Sequence, residues 1–110
     1  MVKVLVIISS ADVDKALTGL MWATNALRFK WVDDVEVLLF GPVEKMVAKG
    51  DERLVKALEE LKKRGKNPVA CRRIAERDGY LKDLEKYVDT EYIGSFIAWY
   101  LSKGYMPLTF

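Results

Sequence analysis

Lys3-Val4-Leu5-Val6-Ile7-Ile8, followed at once by Ser9-Ser10-Ala11-Asp12, is the stretch whose reading decides the fold. With Val2 before it, the run is aliphatic at every position but Lys3. A strand with one wet face alternates polar and apolar residues, so an unbroken run predicts a strand covered on both faces, as in parallel sheets. The residues after it are small or polar and form a turn. Asp12 or Asp14 is placed there to cap a helix through its free N–H groups and to complement its dipole.

The same grammar recurs along the chain. Val13, Ala16, Leu17, Leu20, Met21, Thr24 and Leu27 fall at helical spacing, which predicts a helix over Val13 to Phe29 with that stripe against the sheet. A second apolar stripe, Gly19, Trp22, Ala23, Ala26 and Phe29, runs beside it and points to a further cover. Val35 to Phe40 reads as the second strand, ended by Gly41-Pro42, with Pro42 suited to the first turn of a short helix stopping near Gly50. Asp51 caps a helix over Glu52 to Arg64 whose acids come early and whose Lys62-Lys63-Arg64 come late, with Gly65 as its left-handed exit. Leu54, Leu58 and Leu61 are its buried seam.

Val69-Ala70-Cys71 is the third strand, and Arg72 to Arg77 a short helix ended near Gly79. Tyr80, Leu81, Leu84 and Tyr87 suggest another amphipathic turn or two, and Val88-Asp89 a short fourth strand. Ile93 to Lys103 reads as a helix with Ile93, Phe96, Ile97, Tyr100 and Leu101 on one side and Tyr92 and Trp99 off that face. Tyr105 to Phe110 is the last strand, and Pro107, which cannot donate to a ladder, assigns it to an edge or to pairing on one side only. Strands alternating with helices make one α/β domain over residues 1–110. It has three layers, α/β/α with flavodoxin-like layering, around a mainly parallel sheet of about five strands.

Hydrophobic residues are 51% and charged residues 31%, a balance that supports a packed core and argues against disorder. The net charge of +2, from 18 Lys+Arg against 16 Asp+Glu, gives no pull toward nucleic acid or an anionic membrane. The longest apolar run, Val4 to Ile8, falls far short of the roughly 20 residues of a membrane span. Met1-Val2-Lys3 leads straight into that run with no signal-peptide layout, and one cysteine cannot close an internal disulfide. The expectation is a cytoplasmic protein.

The chain contains no histidine, which removes Ser-His-Asp triads, His-activated cysteines and HExxH metal sites. A single cysteine also removes thiolate-rich zinc and iron–sulfur centres within one chain. A carboxylate-only magnesium site stays open but no cluster demands one, and no organic cofactor is called for. The Ser9–Asp12 loop lacks the glycines of dinucleotide and Walker loops and the hydroxyl-rich loop of a flavodoxin.

What remains is Asn67-Pro68-Val69-Ala70-Cys71-Arg72-Arg73. Ligands of open parallel sheets bind beyond the carboxyl ends of the strands, near the point where strand order reverses, and four loops are expected to meet there. They are Ser9–Asp12, Gly41-Pro42, Cys71–Arg73 and the segment before Ile93. Cys71 is the one strong nucleophile among them. Facing such a cleft, it would sit at the positive end of a helix beside Arg72 and Arg73, a setting that favours a thiolate. Ser9 and Ser10 would hydrogen-bond a bound anion or sulfur adduct, or else serve the local turn, with Asp12 beside them. Cys71-Arg72-Arg73-Ile74 is no C-x-x-C, so the chain holds no dithiol of its own. A small buried hydrophobe is the plainer role for such a cysteine.

The pattern as a whole resembles the DsrE/DsrF-like family of small sulfur-relay proteins, including its TusD- and YchN-type members. The likeness runs through Lys3–Ile8, the long first helix, Leu39-Phe40-Gly41, Val69-Ala70-Cys71 with Ala75 and Gly79, and Pro107-Leu108-Thr109-Phe110. It implies an α/β/α protein that assembles as a trimer or hexamer. It implies that Cys71 is the carrier thiol, holding sulfane sulfur as a persulfide between donor and acceptor proteins. Many members carry a second cysteine three residues further on, where this chain has Ile74, so a single-cysteine carrier is what the likeness leaves. Trp22, Phe29 and Trp99 are expected between subunits. Two other functions stay open: a non-catalytic assembly or small-anion-binding module with Cys71 as inert core, and a single-cysteine peroxide sensor.

Overall fold

A computed structural model describes residues 2–110, which form five strands and six helices. The strands are β1 (Lys3–Ile8), β2 (Asp34–Leu39), β3 (Val69–Cys71), β4 (Asp89–Glu91) and β5 (Tyr105–Thr109). The helices are α1 (Val13–Arg28), α2 (Val43–Ala48), α3 (Glu52–Lys63), α4 (Arg72–Asp78), α5 (Leu81–Leu84) and α6 (Gly94–Ser102). The sheet runs β4-β3-β2-β1-β5 with every pair parallel. β1 is an interior strand, paired with β2 and β5, and Val4 to Val6 and Ile8 are buried. β5 is an edge strand in which Pro107 stands opposite Leu5, as its missing N–H predicts.

The connections fix the layers. β1 to β4 step in one direction across the sheet, so right-handed crossovers put α1 to α5 on one face. The chain then returns from β4 past β3, β2 and β1, and the same handedness places α6 on the other face. The side chains agree. Val4, Val6, Ile8, Val35, Val37, Leu39 and Ala70 pack with α1 to α5, whereas Leu5, Leu38 and Cys71 pack with Ile93, Phe96, Ile97 and Tyr100. The α6 face is the thin one, because α6 contains no fully buried residue.

Caps follow local chemistry. Asp12 accepts from the Lys15 amide at 3.2 Å, and Asp51 accepts from Arg53 and Leu54 at 3.0 and 3.1 Å. Gly79, at φ 80, supplies the left-handed exit of α4.

One expectation about α1 is corrected. Its fully buried residues are Ala16, Gly19, Leu20, Ala23 and Ala26, so the small-residue stripe meets the sheet, and Met21 is exposed. Close approach is the reason. A Cβ on Gly19 would stand 2.6 Å from Ile8 and from the Phe110 ring, a separation no methyl group tolerates. The bulkier Leu17 and Met21 turn instead toward the groove between α1 and α3.

Candidate active site

Cys71 is both the last residue of β3 and the first boundary residue of α4, with φ −75 and ψ 112. β3 is an interior strand, paired with β2 through Leu39↔Ala70 and with β4 through Cys71↔Glu91. Alternation along β3 sends Ala70 toward the α1 layer and Cys71 toward α6. The expected open cleft is corrected here. Cys71 is only 4% exposed, packed with Leu5, Leu38 and Ile93, because the segment from β4 into α6 folds Ile93 down over the end of β3.

The expected meeting of four loops is also revised. Strand order reverses between β1 and β5, whereas Cys71 ends β3, on the far side of β2 from β1. The crevice at the reversal is taken by Phe110, whose carbonyl accepts from the Ser9 and Ser10 amides at 2.7 and 3.2 Å. The Ser10 hydroxyl accepts from the Asp12 amide at 3.0 Å, so Ser10 and Asp12 are engaged in the turn and the α1 cap. Ser9 lies nearer the site. A Cβ on Gly41 would come within 2.4 Å of its Oγ, and its carbonyl accepts from the Val43 amide at 2.9 Å. Gly41 has φ 137, a conformation side chains rarely adopt, so the turn after β2 presses on the turn after β1 only because it lacks a Cβ.

Of the arginines beside the cysteine, Arg72 reaches toward Glu85 at 3.9 Å and Arg73 is exposed. Arg77, further along α4, pairs instead with Asp78 at 2.9 Å. It lines a cleft of about 390 Å³ with Gly41, Pro42, Lys45, Ile74, Asp78 and Tyr80. Ile74 packs against both the core beneath α1 to α5 and the cluster that contains Cys71, so it divides the cleft from the thiol.

Beside this cleft lies a residue that the sequence reading passed over. Glu44 has no exposed surface, an unusual state for a carboxylate with no ionic partner among the described residues. Its Oε2 accepts from the Gly41 amide at 3.2 Å, reaching back over the start of α2. The Cys71 amide also lies close enough to favour its charged form. Its Oε1 is buried with no hydrogen-bond partner among the described residues. Burial raises its pKa from 4.5 to about 7, the two amides oppose that rise, and the charge of Asp78 adds to it. Burial likewise pushes the Tyr80 hydroxyl up, followed by the charges of Glu44 and Asp78. A signal existed in the sequence: Val43, Glu44 and Val47 share the buried side of a short helix, so an acid stands on an apolar stripe.

The aromatic residues form two separate groups. Trp22 tilts against Trp31 at 6.4 Å, and Phe29 stacks on Trp31 at 5.8 Å, around the exit of α1. Trp99 meets Tyr100 edge-on at 5.2 Å, on α6 and thus on the other side of the sheet. Phe29 and Trp99 are both more than half exposed.

Two solved structures share this fold. A conserved protein of unknown function from Bacteroides thetaiotaomicron matches with a TM-score of 0.83 and 23% identity, over 96% of this chain and 93% of that chain. A protein of unknown function from Methanobacterium thermoautotrophicum matches with a TM-score of 0.78 and 18% identity, over 99% of both chains. At these identities the likeness is one of fold. No protein-family model and no curated protein matches the sequence. Among the described residues, no helix is long and apolar enough to cross a membrane.

Proposed function

We propose that this chain is a cytoplasmic sulfur-relay protein that holds sulfane sulfur as a persulfide on Cys71 and passes it to a partner protein. The observation that carries this reading is the position of the sole cysteine at the carboxyl end of an interior parallel strand. The resemblance to the DsrE/DsrF-like pattern around Val69-Ala70-Cys71 supports it. The chemistry balances without an oxidant. The Cys71 thiolate attacks the outer sulfur of a donor protein's persulfide, the donor S–S bond breaks, a new one forms on Sγ, and the donor thiolate leaves. An acceptor thiolate then takes the outer sulfur by the same exchange, and Cys71 is released as thiolate.

Loading requires that the thiol be uncovered. Its cover is Ile93 and the α6 segment, which has no fully buried residue of its own, so local opening there costs less than global unfolding. The test is intact-mass analysis after incubation with a sulfane-sulfur donor. The expected result is one added sulfur on wild type and none on Cys71→Ser. No addition to wild type, or equal addition to both, refutes the reading.

Burial of Cys71 among Leu5, Leu38 and Ile93 favours a second reading, an assembly or small-anion-binding module with an inert cysteine. The rate of alkylation separates the two. A thiol that reacts no faster than the protein globally unfolds belongs to the second. Either reading includes a homo-oligomer, a trimer or hexamer, with the exposed aromatics around Phe29 and Trp99 in subunit contacts. A monomer by light scattering at micromolar concentration refutes that part.

A further inference from the structure

We propose that the exit of α1 and the α1 side of the edge strand β5 form the surface on which a second copy of this chain docks, apolar side chain against apolar side chain. This rests on the homo-oligomer of the proposed function and assigns its contact to one of the two aromatic groups. Phe29, Trp31 and Met106 are each more than half exposed, and Leu108 is 40% exposed. With Trp22 they make one patch. Met106 and Leu108 stand opposite Val4 and Val6, which pack toward α1, so both point to the α1 side of the sheet. Gly19 of α1 meets the Phe110 ring. From there α1 runs back along the sheet at about 1.5 Å per residue, against about 3.3 Å for a strand. Trp22 therefore comes near the level of Leu108, and the Phe29 end of α1 near Met106. Trp31 joins the two by meeting both Trp22 and Phe29.

The size of the patch fits a second copy. An aromatic side chain offers about 150–250 Å², so these five residues present about 400 Å². A stable interface buries about 800 Å² on each partner, somewhat over half of it apolar, and the patch supplies most of that apolar part. Trp31 is also exposed yet fixed. Its amide donates to the Ala26 carbonyl at 3.0 Å and the Lys30 amide to Leu27 at 3.3 Å, the paired bonds of a helix that ends on a left-handed residue. Lys30 is that residue, at φ 54. The rings are thus ordered before any contact forms, which lowers the entropy lost on docking. None of the five carries a charge, so like copies meet without repulsion about a two-fold axis. Strand addition, the other way an edge binds, is blocked by Pro107. Phe110 donates to Ile7 and accepts from Ser9, so alternation turns the backbone of Tyr105, Pro107 and Thr109 toward the free edge. The middle of that edge has no N–H to offer. Trp99, by contrast, stands on α6, which has no fully buried residue, and is already met by Lys103 and Tyr100.

Sedimentation velocity across the micromolar range tests this on wild type, Trp31→Arg, Met106→Lys and Trp99→Arg. The first two substitutions lie on different elements and at exposed positions, so the fold is expected to survive both. Each should keep the wild-type circular dichroism spectrum, and Leu108→Lys replaces either one that does not. Wild type is expected to assemble. Trp31→Arg and Met106→Lys should each raise the dissociation constant at least about thirtyfold, as loss of a central anchor does. Trp99→Arg should assemble as wild type does. Assembly that survives both patch variants, or that is lost with Trp99→Arg instead, overturns the proposal and leaves the homo-oligomer reading standing. A wild type that stays monomeric removes both, and its flotation with phosphatidylglycerol vesicles would reassign the patch to a membrane surface. Sulfur loading of Cys71 plays no part in this readout, so failure of the relay chemistry leaves the docking surface untouched.

Discussion

Replacing Glu44 by glutamine tests the physics of the site without reference to its function. The folded protein holds this carboxyl at about 7 against an ordinary 4.5. A pKa raised on folding means that the native state binds the proton more tightly than the unfolded chain does. Its contribution to stability is therefore fully present below about pH 4.5, declines as pH rises, and is gone above about pH 7. At about 1.4 kcal/mol for each pH unit of displacement, the whole effect is about 3 kcal/mol. Solvent screening does not reduce it much, because the side chain has no exposed surface. Glutamine has nearly the same shape and never ionises, so the variant keeps the Gly41 hydrogen bond and lacks the pH-dependent penalty. Urea unfolding at pH 5 and pH 8.5 gives four stabilities. The loss from pH 5 to pH 8.5 should be about 2.5 kcal/mol greater for wild type than for Glu44→Gln. Any constant cost of the substitution cancels from that comparison. Parallel stability curves for the two proteins would refute the buried, unpaired state of Glu44.

Two further substitutions probe how the site is held. Gly41→Ala forces a side chain into φ 137 and within 2.4 Å of the Ser9 hydroxyl, and should cost at least about 2 kcal/mol by urea unfolding at unchanged slope. At the opposite end of the sheet, Lys66 bridges Asp34 at 2.6 Å and Glu36 at 2.9 Å, and Tyr105 donates to Asp34. Burial alone would raise Asp34, but hydrogen bonds from Lys66 and Tyr105 outweigh it and hold the carboxyl below its usual range. The stability this supplies is present above the ordinary 3.8 and is lost as pH falls through the folded value. Lys66→Met should therefore cost about 1–2 kcal/mol at pH 7, less than for a fully buried pair because these groups are about a quarter exposed, and progressively less below pH 4.

Periodicity carried the element order well, because each strand–helix alternation has its own start and stop residues. Asp12 and Asp51 cap, Gly79 exits, and Pro107 marks an edge, all through local chemistry that a sequence displays. The orientation of α1 was not legible in the same way. Hydrophobicity alone favours Leu17 and Met21 as the inward stripe, whereas the sheet selects Gly19, Ala23 and Ala26 for their size. That preference depends on how near Ile8 and Phe110 come, a distance set by tertiary packing. The burial of Cys71 was hidden for a related reason. The position of Ile93 over β3 follows from the return of the chain to β5, and the short β4 gives little local sign of where that return passes.

Layer asymmetry bears on how a buried thiol would be reached. The α1–α5 face is covered by several helices, and residues such as Val6, Leu39 and Ala70 beneath it have no exposed surface. The opposite face depends on α6, a nine-residue helix whose side chains are at best half-buried. An amide or thiol under the first layer is exposed only when the domain unfolds, whereas one under α6 is exposed when a single short helix lifts. Cys71 lies under the second. Its backbone belongs to an interior strand paired on both sides, through Leu39↔Ala70 and Cys71↔Glu91. Hydrogen exchange separates these motions. Amides of α6 should exchange well before those of β1 and β2, and the Cys71 amide should exchange with the slower group. Exchange of α6, Cys71 and β1 at one common rate would mean that the thiol is reached only by global unfolding.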